Sequence, residues 1–170
     1  MATAPSCCAR RRRDKGKAMN DAVKLLTRMF GFTEEGRHRP DIFPVGGESR
    51  PSPADYFHPD VVHSLFGPSG TKETLVGRDA FLAFAASCAE ALAERRDEII
   101  AITCVDRQCA FVHARAYRKS AANGEDIHYE WAMLYRVEQG LITYGADMLD
   151  APAQAFWGRV RQRPNPSSTF

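Results

Sequence analysis

Beyond residue 96 the hydrophobic period of this chain is two. Runs at 97–105, 109–119, 127–138 and 141–149 alternate apolar and polar residues, the pattern of half-buried strands. Only "DRQ", "ANGE" and "QG" separate them. Connections that short, one of them carrying an Asn-Gly pair, join antiparallel neighbours. The C-terminal part is therefore predicted as an antiparallel meander, whose apolar face has to be covered by something else in the fold.

Upstream the period is that of a helix. Asn20 is placed to cap a helix opening at Asp21, along which Ala22, Leu25, Leu26, Met29 and Phe30 recur at helical spacing until Gly31 closes it. Residues 77–94, "GRDAFLAFAASCAEALAE", form the clearest helix. Its stripe of Phe81, Phe84, Ala85, Cys88 and Leu92 reads as core packing. Between these helices, residues 31–53 collect Gly, Pro and charge and form a long loop. Ser52 or Pro53 opens a short helical turn, and "VVHSLF" at 61–66 is a strand ended by "GPSG". "AQAFWGRV", after Pro152, is a short amphipathic piece. Helices followed by a meander predict an α+β fold with helices on one sheet face. No internal repeat is present.

Charge divides the chain. Net charge is +2, yet residues 1–18 hold six basic residues and one acid, which leaves −3 on residues 19–170. A mildly acidic body argues against a nucleic-acid groove, and no apolar run approaches the roughly 20 residues of a membrane helix. The expected organisation is a disordered basic tail over 1–18, one domain over 19–160 and a disordered tail over 161–170. Five cysteines without regular spacing are an odd count for a disulfide framework and lack the spacing of a zinc site. They read as reduced thiols in a cytoplasmic protein. No HxH, HExxH or facial-triad spacing occurs, so neither metal nor cofactor is expected.

Parity assigns the two sheet faces. With "QG" as a two-residue loop, 138 pairs with 141 and Ala132 lies opposite Asp147. With "NG" likewise, Arg115 lies opposite Ala132. One face then presents Asp147, Arg115, Tyr117, Glu130 and His113 among Phe111, Ala132, Leu134, Gly145 and Leu149. Apolar walls with a few converging polar groups are the make-up of a pocket. In this register Asp147 and Arg115 lean towards each other over Ala132. The other face carries Trp131, Met133, Tyr135 and Tyr144. Its cover is either a second copy of the chain, through Trp131, Tyr135 and Tyr144, or the C-terminal segment around Phe156 and Trp157.

The N-terminal helix, "YFHPDVV", the "GRDAFLAF" helix and a meander ending "VEQGLITYGADMLD" together resemble the nuclear transport factor 2-like superfamily. They are most similar to its SnoaL-like branch of polyketide cyclases, ketosteroid isomerases and limonene-epoxide hydrolases. The resemblance spans roughly residues 20–160. It implies a cone, a curved antiparallel sheet wrapped around the N-terminal helices (a cystatin-like α+β barrel), with an internal pocket and commonly a dimer. It also implies that the acid of the last strand, here Asp147, serves as a base. In the epoxide hydrolases an Arg and a second acid stand two residues apart on an earlier strand. Arg115 in "HARAY" matches the Arg, Tyr117 stands where the acid would be, and Glu130 is a substitute across the strand. The water-holding positions of the first strand fall near His63, a pocket residue, and Leu65, which cannot hold a water.

Two functions fit. The first is a cofactor-independent acid/base enzyme (isomerase, cyclase, or hydratase/hydrolase of the epoxide-hydrolase kind) acting on a hydrophobic small molecule. Asp147 would be its base, Arg115 would hold the carboxylate or a developing oxyanion, and Tyr117, His113 or Glu130 would donate a proton. The second is a non-catalytic ligand-binding or dimeric assembly module of the same fold.

Overall fold

The computed structural model describes residues 20–32, 55–67, 70 and 72–161. The tail expected over 1–18, nearly all of the loop over 31–53, the opening of the turn at 52–53 and residues 162–170 lie outside the described residues. The elements are α1 (Asp21–Phe30), β1 (Phe57–Phe66), β2 (Lys72–Val76), α2 (Arg78–Glu90), β3 (Leu92–Cys104), β4 (Cys109–Ser120), β5 (Asp126–Glu138), β6 (Leu141–Met148) and α3 (Ala151–Arg161).

α1 begins where its cap dictates. The Val23 amide donates to the Asn20 side chain at 2.7 Å, and Gly31 ends the helix in the left-handed region at φ 61°. Its apolar stripe of Ala22, Val23, Leu25, Leu26 and Phe30 is buried against β3, β4 and β5. α2 stops at Glu90, short of the expected 94. None of its residues is fully buried, although Phe81 packs on the main core. α3 is capped by Asp150, whose carboxylate accepts from the Ala153 amide at 2.8 Å. It buries Ala153, Phe156 and Val160.

The six strands form one sheet in the order β2-β1-β6-β5-β4-β3. It curves without closing, so the cone that the resemblance implies is present, with one correction. The sheet is mixed, because β1 runs parallel to β6 while all other neighbours are antiparallel. Pro59, which has no N–H to donate, lies inside the stretch where the β1–β6 register breaks, between Phe57 and Val62. β2 is a short edge strand that periodicity did not reveal.

The registers decide which side chains enter the cone. The β4–β5 connection is longer than a two-residue loop, with Lys119 opposite Asp126. The shift is even, so faces are kept, but Arg115 stands opposite Glu130 instead of Ala132. The β5–β6 turn is the expected one. Glu138 pairs with Leu141, and Gln139 and Gly140 both take positive φ, 52° and 80°, as a two-residue hairpin turn needs. Three residues later the register slips. Val137 pairs with Ile142 but Arg136 with Tyr144, leaving Thr143 as an extra residue in β6. One inserted residue exchanges the faces of everything beyond it. Gly145 therefore lies opposite Tyr135 and Asp147 opposite Met133, on the aromatic face and away from Arg115. That face is the interior of the cone. α1 covers part of it, with Phe30 and Tyr135 ring centres 6.2 Å apart.

Candidate functional site

Two adjacent parallel strands bring the central pair together. His63 of β1 stands beside Gly145 of β6, and Leu65 beside Asp147. His63 and Asp147 are thus diagonal neighbours on the inner face. His63 Nε2 lies 3.3 Å from Asp147 Oδ2, with the histidine side chain 1% exposed and the aspartate 19%. The ring is held by aromatic contacts, to Phe81 at 4.6 Å and to Tyr135 at 6.3 Å between centres. Phe57 backs Phe81 at 4.7 Å.

Around this pair the interior is apolar, yet several polar atoms in it lack hydrogen-bond partners among the described residues. They include both His63 ring nitrogens, Asp147 Oδ1 and the indole Nε1 of Trp131. The Nε2–Oδ2 contact is close enough for charge pairing but lacks hydrogen-bond alignment. Each unmade buried bond costs on the order of 1–3 kcal/mol, so a cluster of them marks a place where something other than packing has shaped the sequence.

Tyr135 forms the floor. Among the described residues its hydroxyl donates only to the sulfur of Met133, at 3.5 Å. Burial, reinforced by the negative charge of Asp147, pushes its pKa well above the usual tyrosine value, so it stays a neutral phenol. Tyr129, two residues back from Trp131 on β5, accepts from Trp157 Nε1 at 3.1 Å. Burial raises its pKa too, the Arg118 cation opposes the rise, and the charges of Asp97 and Asp147 add to it.

A second polar cluster lies further along the same face. Arg118 is 1% exposed. Its Nη2 donates to Asp97, and its Nη1 donates to the carbonyls of Arg96 at 2.9 Å and Tyr117 at 2.8 Å. Arg95 Nε donates to the other oxygen of Asp97 at 2.7 Å. The Arg118 guanidinium also lies over Trp131, 5.4 Å from the ring centre. This buried pair is well satisfied, as an ion pair out of water has to be.

The residues predicted from sequence divide between the faces. Asp147, His63, Gly145 and Leu149 lie on the inner side, Leu149 packing against the cluster of Ala116, Tyr129 and Ala153. Gly145 does not leave space for a ligand, because the His63 ring fills it. Arg115, Glu130, His113 and Tyr117 lie on the outer face. There Arg115 Nε donates to Glu130 at 2.9 Å and Nη1 lies 3.6 Å from Glu98, while His113 Nε2 is 2.7 Å from Glu130. Tyr117 stacks with His128 at 4.7 Å under the Arg96 guanidinium. Arg96, Glu98, Arg115, Tyr117, His128 and Glu130 border an open surface groove of about 570 Å³. The Glu130 carboxyl is held below its ordinary value, chiefly through the hydrogen bonds from Arg115 and His113. Phe111, Ala132 and Leu134 are half-buried on the same outer face. The expected Arg115–Asp147 pair does not form, because the extra residue at Thr143 separates the two. Nor do Trp131, Tyr135 and Tyr144 share a surface. Trp131 and Tyr135 point inward, Tyr135 being 5% exposed, whereas Tyr144 falls on the outer face with Arg136.

Sequence reasoning missed Trp131, Tyr135, Asp97 and Arg118 as site residues. The signal for two of them was present. An aromatic run on one strand face, with Ala110 and Ala114 opposite Tyr135 and Trp131, leaves the clearance that a pocket wall needs. Among the described residues no group of three or more His, Cys, Asp or Glu side chains is placed to hold a metal ion, and no helix is long and apolar enough to cross a membrane.

Comparison with known proteins agrees with this architecture. A family model described as a SnoaL-like domain matches residues 52–145. No curated protein matches the chain. Among solved structures, a protein from Jannaschia sp. CCS1, provisionally assigned as a SnoaL-like polyketide cyclase, is 14% identical with a TM-score of 0.60. That match covers 88% of this chain and 100% of the other. An NTF2-like protein of unknown function from Burkholderia pseudomallei K96243 is 16% identical with a TM-score of 0.56, over 85% of this chain and 100% of its own. A hypothetical protein of ketosteroid isomerase-like fold from Catenulispora acidiphila DSM 44928, in complex with trimethylamine, is 15% identical with a TM-score of 0.50, over 57% of this chain and 72% of its own. At such identities the likeness is one of fold.

Proposed function

This chain belongs to the SnoaL-like domain family, and from that premise we propose that it is a cofactor-independent acid/base enzyme of isomerase, cyclase or hydratase/hydrolase type. It acts on a hydrophobic small molecule held inside the cone, with Asp147 as the base. The observation that carries this reading is the inner-face placing of Asp147. One carboxylate oxygen is engaged by His63 at 3.3 Å, and the other is buried and without a partner among the described residues.

The division of labour follows from the geometry. His63 cannot swing away, because Phe81, Tyr135 and the backbone at Gly145 confine its ring. It stands against one side of the carboxylate and leaves Oδ1 turned to the interior as proton acceptor. A carboxylate in a site largely withdrawn from water keeps its reactivity for the bound molecule. Tyr135, kept neutral by burial and by Asp147, supplies no competing negative charge. Phe81 and Trp131 offer flat apolar walls, which suits a ring-containing carbon skeleton.

The test is deuterium exchange at carbon in 2-tetralone, a flat enolisable ketone, followed by NMR. The native protein should accelerate exchange, and Asp147→Asn should lose on the order of 10²-fold or more. Equal rates in the two proteins would remove Asp147 as the base. Binding of the ketone without any exchange would return the non-catalytic ligand-binding reading.

A further inference from the structure

Asp147 Oδ1 has a counterpart of opposite kind. The indole N–H of Trp131 is a buried donor with no acceptor among the described residues, as Oδ1 is a buried acceptor with no donor. The two do not satisfy each other, although both belong to the inner face. Asp147 is opposite Met133, two residues from Trp131 on β5, so they are diagonal neighbours about 7–8 Å apart along the backbone. As whole residues both are only partly buried, although Oδ1 and Nε1 are themselves closed to water; one functional group of a bound molecule would bridge them.

We propose that Trp131 is the second catalytic group of this site, donating a hydrogen bond from Nε1 to an oxygen of the molecule whose proton Asp147 removes. This inference rests on the acid/base reading of Asp147. It narrows the ligand to one that carries a carbonyl oxygen beside the reacting carbon. In the step so defined, the C–H bond breaks and its proton forms an O–H bond with Asp147. The electron pair of that C–H bond moves into the carbon–oxygen system, and the oxygen that gains charge accepts from the indole. Trp131 keeps its own proton throughout. Return of the proton from Asp147 to carbon closes the cycle.

The surroundings of Trp131 favour this role over packing alone. The ring bridges the two core clusters and meets Tyr129 edge-on, with centres 6.0 Å apart, so its direction is fixed. Ala114, a small residue, lies opposite it on β4. The Arg118 guanidinium, 5.4 Å from the ring centre and anchored by Asp97 and two carbonyls, withdraws density from the indole through the ring face. Withdrawal of that kind makes the N–H a stronger donor. Arg118 is accordingly a positioning residue, acting on the bound molecule through Trp131. A donor already aimed where charge develops needs no reorganisation during the reaction.

The experiment uses 2-naphthol, whose hydroxyl can donate to Asp147 and accept from Trp131, and which resembles the enol of 2-tetralone. The chain has two tryptophans. An indole-¹⁵N spectrum of the native protein therefore holds two side-chain signals, assigned with Trp157→Phe. Binding of 2-naphthol should move the Trp131 signal downfield and leave that of Trp157 near its place. Trp131→Phe, which keeps a ring but loses the donor, should weaken 2-naphthol about tenfold. Its turnover of saturating tetralone should also slow by about 10²-fold, with little change in KM. No binding of 2-naphthol by the native protein at millimolar concentration, an unmoved Trp131 signal, or unchanged affinity in a folded Trp131→Phe protein would each overturn the proposal. If that variant does not fold, the shift in the native protein decides. Asp147→Asn separates the two readings. Exchange that survives in it defeats the acid/base reading, whereas the indole signal tests Trp131 independently.

Discussion

The imidazole of His63 stands in the space that a side chain at Gly145 would need. A Cβ built on Gly145 would lie 2.3 Å from His63 Nδ1, 2.8 Å from Cε1 and 3.2 Å from Tyr135 Cε1. The absence of a side chain at one position in β6 thus seats the ring that contacts Asp147 two residues further on. Gly145→Ala should push His63 off Asp147 at a cost of about 1–3 kcal/mol of stability. Exchange of 2-tetralone should fall at least tenfold in the folded variant. Urea melts and the exchange assay check the two effects. A variant with native activity would show that His63 does not need this seat.

Tyr135 makes the fold sensitive to alkali. Its pKa is raised by burial, so the folded state keeps a proton that the unfolded chain releases above about pH 10. Above that pH the unfolded state binds fewer protons, and stability therefore falls as pH rises. The slope approaches about 1.4 kcal/mol per pH unit for each such tyrosine. Tyr129, raised more weakly, adds in the same direction. Unfolding followed between about pH 8 and 11 should show a decline that is shallower in Tyr135→Phe. Parallel profiles for the two proteins would contradict the burial of this hydroxyl.

The two ion-pair networks differ in depth and should differ in energy. Asp97→Ala strands the 1%-exposed Arg118 and should cost about 3–5 kcal/mol. Arg115→Ala breaks pairs between exposed groups that water screens, and should leave stability nearly unchanged. Denaturant midpoints of the two variants measure the contrast. Comparable losses would mean that the sheet faces are assigned the wrong way round.

α3 depends on a single carboxylate at its start. Asp150→Ala removes the acceptor of the Ala153 amide and should cost about 1 kcal/mol, while Asp150→Asn or Asp150→Ser should recover most of it. Thermal melts of the three variants give the ranking. Equal melting of all three and the native protein would remove the cap from the account.

Local signals carried much of this structure. Asn20 and Gly31 bound α1 as their side chains and dihedrals require, and the meander was legible from period and turn chemistry. The faces of β4 and β5 survived a wrong loop length because the error was even. Asp147 was recognised, but on the wrong side of the sheet. In "LITYG" no proline marks the extra residue at Thr143, and Gly145, two residues on, is the one local sign of an irregular strand. The partners chosen for Asp147 were consequently those of the outer face. His63, assigned only to line the pocket, became the contact. The parallel β1–β6 pairing joins residues some eighty positions apart, beyond the reach of periodicity. Trp131 and Tyr135 were set aside for a subunit interface, because an aromatic face needs cover and α1 had not yet been placed over it.

The extra residue in β6 bears on how such chains are compared and how they diverge. In a sheet a substitution changes one side chain, but taking Thr143 into the ladder instead of bulging it out would exchange Gly145 and Asp147 with Tyr144 and Met148 at a stroke. A working interior and an inert one can therefore differ by one bulge, with every named residue still present. Relatives of this fold are accordingly better sorted by whether that bulge is kept than by whether an acid is there.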